Sequence, residues 1–228
     1  MNLEILYEDN HLIAVNKTGS DLVQGDDTGD EPLSDKVKAY IKKKYNKPGD
    51  VFLGVVHRLD RPVSGVVLFA RTSKALGRMN KMFQDKEVKK TYWAVVKELP
   101  EEDEATLRHF ILKDSKKNKS YAFPKMRSGA KEAILSYKMI SSSASFHLLE
   151  VDLQTGRHHQ IRCQLAKIGC PIRGDLKYGF PRSNPNGGIT LHARKIRFTH
   201  PVTKEALEIV APVPRDEKLW QEFANVTK

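Results

Sequence analysis

From residue 89 to residue 154 strand follows strand with one basic interruption, and that succession constrains the fold more than any other feature of the chain. "KKTYWAVVKEL", "EATLRHFILKD", "EAILSYKMI" and "SFHLLEVDLQ" all read as strands. A doubly wound parallel sheet needs strands and helices in alternation. This order predicts an α+β fold instead: a mixed, largely antiparallel central sheet flanked by helices.

The remaining elements fit around that run. "EILYE" and "HLIAVNK" flank Asp9 and Asn10, a hairpin signal. The polar loop "TGSDLVQGDDTGDEP" leads to a helix in which Leu33, Val37, Tyr40 and Ile41 recur at helical spacing, with lysines opposite. Residues 55 to 72, "VVHRLDRPVSGVVLFART", read as strand, turn and strand, with both strands fully buried. "SKALGRMNKMFQDKEV" is a helix striped by Leu76, Met79 and Phe83 and capped by Thr72 or Ser73. "DSKKNKSYAFPKMRSGAK" lacks clear periodicity and reads as a basic loop. Ile161, Leu165 and Ile168 predict a helix from Arg157 to Ile168, capped by Thr155 and ended by Gly169 and Pro171. "ITLHARKIRFTHP" and "KEALEIVAP" form a hairpin with Pro201 in its turn, and "PRDEKLWQEFANV" a short helix with Pro at its beginning. No repeat or low-complexity linker divides the chain, so one domain over 1–228 is expected, with loop 113–131 as a candidate subdomain hinge.

Composition narrows the class. The 228 residues are 39% apolar and carry 39 basic against 28 acidic side chains, a formal net charge of +11. That suits a folded core and a polyanionic partner, with nucleic acid first. Cys163 and Cys170 make no disulfide framework and no zinc-ligand spacing. They read as reduced packing residues of a cytoplasmic protein. The start "MNLEILYEDN" lacks the basic and apolar regions of a signal peptide, and no run approaches the length of a membrane span.

Two segments carry candidate chemistry. In the first, Asp60 lies between Arg58 and Arg61, with His57 and Ser64 close by and Gly65 permitting close approach of backbone or ligand. The plain reading is a surface Asp paired with a neighbouring Arg. In the second, Arg157 at a helix N-terminus would make an anion site. Arg162, next to the apolar stripe, would turn inward and need an acid partner, because an unpaired buried charge is costly. Any acid could serve; Asp60 is the sharper choice.

These segments resemble the RluA-type pseudouridine synthases. "HRLDRPVSG" resembles that family's H-R-L-D-x-x-T-S-G signature, and "TGRHHQIRCQLAKIGCPIRGDLKYG" its T-G-R-x-H-Q-I-R segment and the G-D-x-x-Y-G that follows. "KKTYWAVV", "LHARKIRFTHPVTKE" and "LYEDNHLIAVNKTG" are similar to three further motifs, all in family order. The resemblance implies isomerisation of uridine to pseudouridine in rRNA or tRNA stem-loops, without a cofactor or metal. It makes Asp60 the catalytic carboxylate, Arg162 the cation that keeps it ionised, and Tyr92 a residue packed on the target base. Leu191 lines the uracil pocket. Arg58 fills the space left by the flipped base, and His57 and Arg157 join it in RNA binding. Arg61 reads as a phosphate contact. The lysines of the first helix, Lys38 and Lys42 to Lys44, and Lys116, Lys117 and Lys119 of the basic loop add salt-dependent affinity. His158 and His159 are adjacent, so they cannot form a helical zinc pair at i and i+4; His159 matches the family's His and is expected to orient the helix.

Three positions depart from the family pattern: Val63 for Thr, Gln164 for His after I-R-x, and Thr18 for Pro in N-K-P. The catalytic strands begin near residue 3, so substrate choice is expected to rest on this domain itself, acting as a monomer without an obligatory protein partner. Two rivals stand beside this reading: a non-catalytic RNA-binding or remodelling protein, and an N-glycosidic hydrolase that would release free uracil.

Overall fold

The computed structural model describes residues 3–25 and 29–226. The polar loop 18–32 is therefore described except at residues 26–28, which lie outside the described residues. The chain separates into two compact units, residues 1–88 with 193–212, and residues 89–192 with 213–228. Loop 113–131, the candidate subdomain hinge, lies wholly inside the second unit.

In the first unit β1 (Ile5–Glu8) and β2 (Leu12–Lys17) form the expected hairpin. Asp9 closes it: its Oδ1 accepts from the His11 and Leu12 backbone N–H groups at 2.7 Å each. Helix α1 (Leu33–Lys44) buries Leu33, Val37 and Ile41 and turns its lysines outward. After β3 (Gly54–Val55), β4 (Ser64–Ala70) is buried at every position and pairs antiparallel with β2. Helix α2 (Ser73–Gln84) packs on β3 and β4, and Thr72 caps it by accepting from Ala75 N–H.

The second unit is built on an antiparallel sheet whose spatial order departs from the chain order. Strands β5 (Lys89–Val96), β6 (Glu104–Asp114), β7 (Lys119–Phe123), β8 (Lys131–Ser142) and β9 (His147–Leu153) stand in the order β5-β9-β8-β6-β7 and pair antiparallel. Side chains alternate between faces along a strand. One face of β5 presents Trp93 and Val95 to Trp220 and Phe223 of the last helix, α4 (Lys218–Val226). The other face carries Tyr92. Its register partner Val151 faces Tyr137, which stands two steps along β8 from Leu135 and four from Ala133. Ala133 packs with Ile111, Ala122, Cys163 and Tyr178, so helix α3 (Gln160–Lys167) covers the face that bears Tyr92. Strand β10 (Leu191–Thr199) crosses the division between the units, and β11 (Ala206–Val210) pairs with it antiparallel in the first.

Five expectations need correction. Residues 119–123 form a strand, not loop: its inward positions are Ser120 and Ala122, too small to register as an apolar alternation. Helix α3 begins at Gln160, three residues later than expected, because His159 is held at φ 53°, a left-handed conformation no helix continues through. Thr155 caps nothing there. Its hydroxyl accepts from Ile134 N–H and donates to Gln160 Oε1. Pro214 precedes α4 by four residues instead of opening it. Finally, the strand before Asp60 is two residues long and only partly buried, for a reason that belongs to the site.

Candidate active site

The first unit holds the Asp60 loop, and three neighbours define its course. Val55 pairs with Phe69, but the ladder stops there. The next free N–H on that side of β4, from Leu68, donates to His57 Nε2 at 3.0 Å. A ring nitrogen has taken the place of a backbone acceptor, so residues 56–63 leave the sheet. The imidazole also stacks on Phe83 of α2, with centroids 5.3 Å apart. An Nε2 that accepts belongs to a neutral ring with its proton on Nδ1. Asp60 O accepts from Val63 N–H at 3.0 Å and closes a turn around Arg61 and Pro62.

That turn is held by Lys17, which the sequence reading passed over. Lys17 ends β2 opposite Gly65 and is only 1% exposed. Its Nζ donates to Thr18 O and Arg61 O at 2.8 Å and to Val63 O at 2.7 Å. Three acceptors match the three N–H bonds of an ammonium group. Burial pushes its pKa from 10.5 down to about 7, against the pull of Asp21 and Asp60, which favour the charged form. Asp21 is itself bound by Lys36 Nζ at 2.7 Å and by the Thr18 hydroxyl at 2.6 Å. Thr18, which departs from the family's Pro, thus ties the end of β2 to α1.

Gly65 completes this half. At φ +117°, a Cβ there would lie 2.3 Å from Ala193 O and 2.5 Å from Ala193 N in β10. No other residue fits. On this loop Arg58 is exposed, Arg61 pairs with Asp30 at 2.6 Å on the surface, and Asp60 is half-buried.

The second unit holds Arg162. It is 5% exposed, and its Nε and Nη2 donate to Asp175 Oδ2 and Oδ1 at 2.6 and 2.9 Å. Asp175 is a bidentate partner that the sequence reading did not foresee. Its only signal was the Gly-Asp of "IRGDLKYG". The guanidinium also lies over the Tyr178 ring, 5.1 Å from its centroid. Tyr178 belongs to a short 3-10 helix, Leu176–Tyr178, and burial raises its phenol so that it keeps its proton. The hydroxyl accepts from Ser120 N–H at 2.8 Å and meets His159 Nδ1 at 2.9 Å. Burial first, then Arg162, push the His159 pKa down to about 2, so this imidazole is neutral and can accept the phenolic proton. His159 sits at the helix start, bonded to the ring beneath Arg162.

The other expected residues occupy distinct places. Tyr92 is buried in β5 on the face covered by α3, and Leu191 is buried at the first position of β10. Arg157 is exposed and lies ahead of α3, with Nε donating to Glu132 O at 2.8 Å, so it does not sit at a helix N-terminus. Gln164 is buried where the family has His, and its Nε2 meets His109 Nδ1 at 3.1 Å. Among the described residues no group of three or more His, Cys, Asp or Glu is placed to hold a metal ion, and no helix is long and apolar enough to cross a membrane.

Each unit thus carries a fixed charge of its own: the first a carboxylate on a clamped loop, the second an arginine whose orientation is set by a buried acid. The comparisons give the class. The family model for RNA pseudouridylate synthase matches residues 11–167. The Vibrio cholerae tRNA pseudouridine synthase C is 31% identical over 96% of this chain and 93% of its own length. A Bacillus subtilis protein named as an uncharacterized RNA pseudouridine synthase, YlyB, is 33% identical over 95% of this chain and 71% of its own. Among solved structures, human RNA pseudouridylate synthase domain containing 4 superposes with a TM-score of 0.79 at 24% identity, covering 98% of this chain and 92% of that one, which supports the fold. The chain belongs to the RNA pseudouridylate synthase family, and the class of enzyme is RNA pseudouridine synthase.

Proposed function

We propose that this enzyme converts particular uridines in rRNA or tRNA stem-loops to pseudouridine, with Asp60 as the catalytic carboxylate and the two units acting as one catalytic domain. The carboxylate engages the target nucleoside while the C1′–N1 bond breaks. The base turns and rejoins the ribose through C5, and the proton on C5 leaves last. Arg162 supplies the positive charge that keeps Asp60 ionised when RNA excludes water. Tyr92 packs against the base, and Leu191 lines the apolar side of its pocket. Arg58 enters the stem-loop as the uridine is extruded and offsets part of the unstacking cost, roughly a few kcal/mol.

The observation that carries this reading is the clamp on the Asp60 loop. A solvated surface Asp needs no buried ammonium beneath its turn, with three carbonyls at 2.7–2.8 Å. Pre-set geometry of this kind is what an attacking or proton-accepting carboxylate requires. Residues 58 and 61 stay exposed beside it, as a nucleic-acid contact demands. No cofactor, membrane or protein partner enters the proposed reaction, and the cytoplasm is its proposed setting.

The test is pseudouridine mapping at single-nucleotide resolution on total RNA from the source organism with and without the gene. Discrete sites that vanish on deletion and return with the wild-type gene identify the substrate. Free uracil released from RNA by the purified enzyme would point to hydrolysis. An unchanged map, with unmodified RNA still bound tightly, would favour the remodelling reading.

A further inference from the structure

The segment 113–127 carries six basic residues, Lys113, Lys116, Lys117, Lys119, Lys125 and Arg127, against one acid, Asp114. Its net charge is therefore +5 within fifteen residues, out of +11 for the whole chain. In α1 three of the five lysines, Lys36, Lys38 and Lys44, are paired with Asp21, Asp35 and Glu8. The hairpin differs. Among the described residues none of its six basic side chains is in an ion pair.

The segment is also ordered. Strands β6 and β7 pair from Phe110 with Phe123 to Asp114 with Lys119, and Asn118 turns the chain at φ 45°. The tip is bolted to the body of the second unit. His158 Nε2 reaches Asn118 Oδ1 at 3.1 Å, and His158 Nδ1 reaches Ser120 Oγ at 2.8 Å. Lys177 Nζ donates to Asn118 O at 3.0 Å, and Tyr178 OH accepts from Ser120 N–H. His158 stacks on His159 with centroids 3.8 Å apart, so the tip is linked to the start of α3.

The outward face of β7 carries one cation and two rings. Lys119, Tyr121 and Phe123 share that face, with Ser120 and Ala122 turned inward. Lys119 Nζ lies 5.7 Å from the Tyr121 centroid, and the Arg127 guanidinium 4.0 Å from that of Phe123. Tyr121 is 37% exposed. Cations for phosphates beside aromatic faces for unstacked bases are the two parts of a nucleic-acid platform.

We infer that the β6–β7 hairpin is a preformed RNA-binding arm: its lysines hold the backbone of the substrate RNA outside the uridine pocket, Tyr121 stacks an unpaired base, and His158 fixes the arm to the helix that carries Arg162. The inference rests on the proposed function for the identity of the RNA. His158 is a positioning residue here and touches no reacting atom.

The experiment compares full-length variants for binding to a fluorescein-labelled RNA stem-loop with unpaired loop uridines, across a salt series. Modification of total RNA from the deletion strain is measured in parallel. The triple variant Lys116→Gln, Lys117→Gln, Lys119→Gln is expected to bind about tenfold more weakly or worse, and the slope of log Kd against log salt should fall by about 2 to 3. Tyr121→Ala should weaken binding and leave that slope unchanged. His158→Ala should weaken binding, and His158→Asn, which can still bond Asn118, should recover part of the loss. A control triple at exposed lysines elsewhere, Lys74→Gln, Lys97→Gln and Lys204→Gln, should change Kd less than twofold. Equal losses in the hairpin and control triples, or an unchanged slope in the hairpin triple, would overturn the inference. A wild-type protein that binds RNA through the hairpin yet forms no pseudouridine would sink the functional reading alone. Pseudouridine formed equally well by the wild type and the hairpin triple would sink the inference alone.

Discussion

Replacing Lys17 by Met tests the clamp under Asp60. The side chain is 1% exposed, so Met fills nearly the same buried space. Leaving the three carbonyl acceptors unmatched costs on the order of a few kcal/mol, and the burial that pushes the Lys17 pKa from 10.5 down to about 7 offsets part of it. A net loss of about 2 kcal/mol for Lys17→Met near pH 7 lowers Tm by about 4–8 °C for a chain of this size. Because Arg61 O and Val63 O lose their donor, kcat should fall at least tenfold while RNA binding persists. The pH dependence has a definite sign. The native pKa lies below the unfolded one, so between about pH 7 and 10.5 the unfolded chain holds the extra proton and stability rises with pH. The wild type should therefore gain on Lys17→Met by up to about 1.4 kcal/mol per pH unit across that window and gain nothing below it. Urea unfolding of both proteins from pH 6 to pH 10 measures this. A Lys17→Met protein with wild-type Tm and kcat, or a stability gap that does not widen above pH 7, refutes the argument.

Other perturbations follow from the same geometry. Gly65→Ala sets a Cβ 2.3 Å from Ala193 O in a left-handed backbone. A loss above about 4 kcal/mol is expected, seen as insoluble protein or a collapsed urea midpoint. Asp175→Asn and Arg162→Met each break a buried bidentate pair and should cost about 3–5 kcal/mol by urea titration. The double replacement Arg162→Met, Asp175→Leu should cost less than the sum, because no charge is left unpaired. Tyr178→Phe strips the acceptor from Ser120 N–H and should cost about 1–3 kcal/mol, with faster hydrogen exchange at Ser120 than at Ala122 as its local signature.

Much of the frame was legible in the sequence because its signals are local. The Asp9 hairpin, the Thr72 cap and the stripe of α1 each depend on residues a few positions apart. What escaped depends on distant partners or hidden conformations. Lys17 looks like any surface lysine until the strand register puts it under the Asp60 turn, 44 residues from Arg61. His57 was read only as an RNA contact, yet its Nε2 accepts from Leu68 N–H and ends a ladder. The pairing of Arg162 with Asp175 joins a helix to a loop beyond its end, which no periodicity encodes. The left-handed His159 moved the start of α3, and Ser120 and Ala122 concealed a strand because small inward residues leave no apolar mark.

The most direct measurement is pseudouridine formation by purified wild-type and Asp60→Asn proteins, with total RNA from the deletion strain as substrate. The account predicts discrete modified uridines with the wild type and none with Asp60→Asn, while Tm and RNA affinity stay close to wild type. Modification by Asp60→Asn at the same sites and comparable rates would contradict the central claim that this carboxylate carries the chemistry.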